Sequence, residues 1–181
     1  MSINKTKTNG SIQTVPGLAW RRILVPLDFS NLSLHALDVA APLARDLDAR
    51  LFLLSVIEPP AYPGGLEATI LATPDCELVE YAESELPKIA RRFVPPEVHL
   101  TVLVERGRAF EVITRVAQEM NIDLIVLASH GRTGLDRILL GSTAERVVRH
   151  APCPVYVVRQ AANRGLAERN SMSTATPSKS V

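Results

Sequence analysis

Apolar residues follow two alternating rhythms along the chain. Short, nearly continuous apolar runs occur at Ile23 to Leu27, Arg50 to Ile57, Val98 to Val104, Ile122 to Ala128 and Pro154 to Val158. Runs without polar alternation read as strands buried on both faces, as in a parallel sheet. Between them, apolar residues recur at three- and four-residue spacing. Leu34, Leu37, Ala41 and Ala44 form one such stripe; Ala109, Val112, Ile113, Val116, Ala117 and Met120 form another. Residues 67 to 93 and Thr143 to His150 also read as helical, the latter with Ala144, Val147 and Val148 on one face. Pro42 lies inside the first helix, where it removes one hydrogen bond and bends the chain locally. Ser30, Asn31 and Ser33 are all able to cap that helix. Pro59-Pro60, Pro63-Gly64-Gly65, Pro95-Pro96 and Gly107 interrupt the periodic segments. Five strands alternating with four helices predict an α/β fold, an open doubly wound parallel sheet. Such sheets bind ligands beyond the carboxyl ends of their strands, where strand order reverses. The loop at Asp28 and the loop from Ser129 to Ser142 would meet there.

Polar flanks narrow the folded unit to residues 20–160. The tails 1–19 and 161–181 are too polar to offset their ordering entropy and are expected to be disordered. A length of 181 residues fits one domain. Lys5 and Lys7 give the first tail +2; Arg164, Arg169 and Lys179 against Glu168 give the second +2. With a net charge of +1, the segment between is left at −3. A slightly acidic unit argues against nucleic-acid binding. There is no apolar run long enough to span a membrane and no apolar leader near the N-terminus, so neither a membrane nor a secretory route is expected. Cys76 and Cys153 are too few for a disulfide framework. They read as buried or incidental thiols of a reducing, cytoplasmic compartment.

Candidate chemistry concentrates between Ala128 and Thr143. Gly131, Gly134 and Gly141 allow close backbone approach and positive φ. The amides of Gly141, Ser142 and Thr143 would point outward at the positive end of a helix, a geometry suited to phosphate. Ser142 and Thr143 add hydroxyl donors. The alternative is that these glycines only make turns and Ser142 only caps a helix. The segment is neither a Walker A sequence nor a Gly-x-Gly-x-x-Gly fingerprint. Asp28 could hold a ribose or a metal-bound water, or cap the following helix. His130 has no paired nucleophile and reads as structural or solvent-facing. Arg132 and Arg137 could reach phosphates, although loop charges are usually just solvated. No Cys/His spacing indicates a zinc site.

At these residues the chain resembles the universal stress proteins. Nucleotide-binding members carry Gly, two residues, Gly, nine residues, Gly, then Ser or Thr. Here Gly131 is the second glycine, Arg132 to Leu140 supply the nine residues, and Gly141-Ser142 follow. Ala128 stands where the first glycine would be. Ile23 to Ser30 and His150 to Val158 match in the family's order. The resemblance implies an open sheet of order 3-2-1-4-5 of the adenine nucleotide α-hydrolase-like, Rossmann-like type. It also implies ATP binding at the carboxyl edge and homodimerisation through the strand Val155 to Val158. By position, Pro26, Leu27 and Asp28 would line the adenosine end and Val56 would pack on adenine. Leu127 and Ala128 would touch base and ribose. Gly131, Arg132, Gly141, Ser142 and Thr143 would hold the phosphates, and Mg²⁺ would arrive with the nucleotide. Alanine at position 128 costs about 1 kcal/mol only if that position needs φ > 0.

The resulting expectation is an ATP-binding regulator of the stress-response type, its loop ordered by nucleotide and its affinity for an unidentified protein partner shifted. Hydrolysis should be slow or absent, because the phosphate loop has neither a lysine nor an evident water-positioning residue. Two other functions remain open: an adenylating enzyme, and a dimeric interaction protein that does not use ATP. A flavin carrier is disfavoured by an aromatic content of 4%. The loop at 59–75 is a candidate lid.

Overall fold

The computed structural model of the chain describes residues 20–58, 73–130 and 140–159. The expected tails, the candidate lid up to residue 72, and Gly131, Arg132, Gly134 and Arg137 lie outside these residues. Nine elements alternate: β1 (Arg22–Pro26), α1 (Asn31–Asp46), β2 (Arg50–Ile57), α2 (Thr73–Phe93), β3 (Leu100–Arg106), α3 (Ala109–Glu119), β4 (Leu124–Ala128), α4 (Ser142–His150) and β5 (Val155–Val158). All five strands are parallel, in the order β3-β2-β1-β4-β5. No described helix is long and apolar enough to cross a membrane.

The period of two along each strand divides the core into two layers. Ile23, Val25, Leu51, Leu53, Leu124 and Val126 face the layer formed with α1 and α2. Leu24, Phe52, Leu54, Ile125 and Leu127 face α3 and α4. This two-sided burial is why the strand runs show no polar alternation. β1 pairs with β2 on one side, Ile23 opposite Leu51, and with β4 on the other, Ile23 opposite Leu124.

Two helices end in the same way. The amide of Asp48 donates to the Arg45 carbonyl and that of Ala49 to the Ala44 carbonyl. After α3, Asn121 donates to Gln118 and Ile122 to Ala117. This double bond pattern needs a left-handed residue, and Asp48 and Asn121 take it at φ 52° and 49°. Their short polar side chains tolerate that conformation. Each turn delivers the chain directly into the next strand. The closing turn of α3 moves the start of β4 from the expected Ile122 to Leu124, because the Ile122 amide is engaged with the helix. β3 likewise begins at Leu100 rather than Val98, whose amide closes a turn onto the Pro95 carbonyl. α1 runs unbroken through Pro42, which sits on its exposed face.

Cys76 is exposed on α2, whereas Cys153 packs partly buried against the α3–α4 layer. Burial first, and then the charge of Asp123, push the Cys153 thiol above its ordinary value, against a smaller opposing effect of the Ile125 backbone. Iodoacetamide near neutral pH is expected to modify Cys76 well before Cys153, as peptide mapping over time would show. Because folding raises this thiol's pKa, its contribution to stability persists below the ordinary thiol range and is lost at higher pH.

Gly107 has φ +136°, and a Cβ there would meet Val112 Cγ2 at 2.9 Å. Gly107→Ala is expected to cost about 2 kcal/mol in urea denaturation, from backbone strain plus a clash with a buried, β-branched neighbour.

Candidate functional site

A cleft of about 460 Å³ opens beyond the carboxyl ends of β1, β2 and β4. β1 is where the connections change direction: the chain leaves it for β2 and β3 on one side and crosses to β4 and β5 on the other. Of the expected residues, Pro26, Leu27, Asp28, Val56, Leu127, Ala128, Gly141, Ser142 and Thr143 all line this one cleft. Gly131 and Arg132 lie outside the described residues.

At the end of β1, Asp28 Oδ1 accepts from the Ser30 amide at 3.1 Å and the Ser30 hydroxyl at 2.6 Å. Ser30 is the N-cap of α1, its Oγ accepting from the Ser33 amide at 3.2 Å. Asp28 therefore supports the cap without being it. The turn places Phe29 at φ 65°, a conformation that is strained for a bulky side chain.

At the end of β2, Glu58 Oε1 accepts from the Ala109 amide at 2.6 Å. Arg108, the N-cap of α3, offers no side-chain cap, so a carboxylate 51 residues earlier satisfies that helix end and faces its positive dipole. The neighbouring Gly107 amide donates to the Ile57 carbonyl at 3.1 Å.

At the end of β4, Ala128 is a regular strand residue paired with Val158 and 7% exposed. It is not among the residues with positive φ. The backbone cost that alanine would carry in a left-handed position is therefore absent. Beyond it, the Ser129 amide donates to the Val158 carbonyl, and the Ser129 carbonyl accepts from the Gly141 amide, both at 2.8 Å.

This last bond corrects the expectation for Gly141. Its amide does not point outward, because it closes onto Ser129. Nor does Gly141 need positive φ, since it sits at φ −59°. It is glycine because of close approach: a Cβ would lie 3.2 Å from the Ser129 carbonyl oxygen and 3.5 Å from His130 Cα. Two glycine-dependent effects separate here, and only packing applies. Among the described residues no side chain caps the start of α4, and its first residues, the hydroxyl-bearing Ser142 and Thr143, line the cleft. His130 lies within 3.2 Å of Ser129 Oγ through Nδ1 and forms part of the wall. Among the described residues, no group of three or more His, Cys, Asp or Glu is placed to hold a metal ion.

The sequence reading missed Phe29, Glu58, Leu78 and Tyr81, which also line the cleft. Phe29 and Glu58 follow directly on strand ends, a position that could have flagged them. Leu78 and Tyr81 reach the cleft from α2, and nothing local to their sequence signals it.

The sequence model described as the universal stress protein family matches residues 19–159. A Methanocaldococcus jannaschii protein named Universal stress protein MJ0531 is 32% identical over 146 residues, covering 78% of this chain and 83% of that one. Universal stress protein UspA from Lactobacillus plantarum superposes with a TM-score of 0.68 at 29% identity, covering 77% of this chain and 98% of that one. The universal stress protein from Archaeoglobus fulgidus in complex with dAMP has a TM-score of 0.53 at 23% identity, over 77% of this chain and 98% of that one; this likeness is of fold alone. With a five-stranded sheet of order 3-2-1-4-5 and a family match spanning its entire described fold, the chain belongs to the universal stress protein family.

Proposed function

We propose that the cleft binds an adenine nucleotide, ATP accompanied by Mg²⁺, and that its occupancy regulates association with a protein partner. The observation carrying this reading is the distribution of polarity within the cleft. Val56 and Leu127 offer apolar surface at the ends of β2 and β4. The start of α4, which no described side chain caps, offers amides, two hydroxyls and the positive end of a helix dipole. The Glu58 carboxylate follows β2, two strand spacings from β4, roughly 10 Å across the sheet. A ligand with a flat apolar end and an anionic end fits this layout in one direction only: base toward β2, phosphates toward α4. A metal would come with the phosphates, which matches the usual manner of Mg²⁺ binding. Asp28 supplies a carboxylate between the two ends. Ala128, a regular strand residue, poses no backbone obstacle to a nucleotide. The dAMP complex of the Archaeoglobus fulgidus protein agrees with a nucleotide in this fold but, at 23% identity, does not carry the argument. Hydrolysis is slow in this reading, since no described cleft residue is a lysine.

The same reading makes the protein a homodimer through β5. Among the described strands, β5 pairs only with β4, so its outer edge carries unpaired backbone groups. Tyr156 stands 54% exposed on this strand. Pairing across a two-fold axis would cover both.

Two measurements test these claims. Calorimetry with ATP and Mg²⁺ should show binding that Gly141→Asp weakens by more than about tenfold, since the new side chain collides with the Ser129 carbonyl and sets a carboxylate where phosphate belongs. Aspartate is a favourable N-cap, so α4 itself should survive the change. Absence of ATP binding by the folded parent would redirect attention to protein partners. Sedimentation velocity should show a dimer that Tyr156→Lys shifts toward monomer; a parent that is monomeric at every concentration defeats the dimer.

A further inference from the structure

α2 buries one stripe against the sheet. Ala82, Leu86 and Ala90, spaced by four, are 0%, 0% and 4% exposed. Leu78 continues the same line one turn earlier, yet it is 45% exposed. The stripe has run past the carboxyl edge of the strands, so its next member overhangs the cleft instead of the core. Tyr81 stands beside it at 51% exposure and also lines the cleft. Packing among the described residues does not account for two large apolar side chains at one cleft mouth.

Tyr81 is nonetheless held in place. The Phe29 ring meets it edge-on, with centroids 5.5 Å apart and planes at 69°. Aromatic pairs prefer this arrangement, and it leaves ring surface of Tyr81 uncovered. Phe29 presents its ring from the left-handed backbone position fixed by the Asp28–Ser30 turn. Bulky residues adopt that conformation only where the surroundings impose it, and such strain clusters at binding sites. A strained residue, an oriented tyrosine and an overhanging leucine thus converge on one wall.

We infer that Tyr81, backed by Phe29 and flanked by Leu78, is the surface against which a planar aromatic base packs, so that α2 makes the cleft select nucleotides over bare polyphosphates. This inference rests on the nucleotide reading above and names the residue that discriminates within it. Stacking fits a half-exposed, oriented ring and is tolerant of base identity, because every base has a π-face. The wall therefore distinguishes a base from no base, rather than one base from another.

The experiment compares the full chain with Tyr81→Ala and Tyr81→Phe. ATP affinity is read by calorimetry in Mg²⁺, and tripolyphosphate affinity by its displacement of ATP. Tyr81→Ala should weaken ATP roughly tenfold or more while leaving tripolyphosphate unchanged. Tyr81→Phe should behave as the parent, since the ring and not the hydroxyl makes the contact. A Tyr81→Ala variant that keeps parental ATP affinity overturns the wall and leaves nucleotide binding intact. A variant that loses ATP and tripolyphosphate in equal proportion also overturns the wall, because it marks a merely structural residue. A folded parent that binds no ATP is seen before any variant is made, and it overturns the nucleotide reading together with this inference.

Discussion

Burial of β1 on both faces and along both edges is the constraint from which the remaining structure follows. Ile23, Leu24 and Val25 are fully buried, and no single layer of helices could achieve that. The sheet must extend to both sides of β1, with α1 and α2 on one face and α3 and α4 on the other. Opposite crossover directions then part the helices beyond the carboxyl ends of β1 and β4, and a crevice is unavoidable. The cleft is thus a consequence of covering the central strand.

Polar interactions mainly shape the rim of this crevice. The described salt bridges are largely solvent-facing, several between helical neighbours such as Arg149–Glu145 and Arg115–Glu119. Pairs of that kind add little to stability. The hydrogen bonds at the strand ends matter more, because they fix where each strand hands over to a helix, two of them between segments separated in the chain. Glu58 closes the start of α3, Asp28 orders the cap of α1, and the Ser129 carbonyl receives Gly141. Three strand termini are fixed in this way, and the cleft walls are positioned by backbone groups whose alternatives would be unsatisfied donors.

The departures from sequence expectation have a common origin. Continuous apolar runs located all five strands within two residues; two-sided burial leaves this local signature in β1, β2 and β4, whereas the edge strands β3 and β5 are only partly buried. Gly141 was assigned two roles, and contact with Ser129 and His130 selects packing alone. The conformation of Ala128 depends on its pairing with Val158. The ends of α1 and α3 rest on Asp48 and Asn121, whose sequence context carries no glycine signal. None of these outcomes is encoded within a few residues.

What the sequence by itself determined is the alternation of elements, the fold class and the family, since each depends on local periodicity or on a spaced motif read along the chain. Nine of the eleven residues that the family resemblance assigns to the site line one cleft, because strand ends and the start of α4 meet at the switch point. Only the tertiary structure decided which groups share the cleft with them. Glu58 finds its partner 51 residues away, and Tyr81 reaches the cleft because its helix outruns the sheet. Both are matters of where elements end relative to one another, set by packing across the two layers rather than by any local pattern.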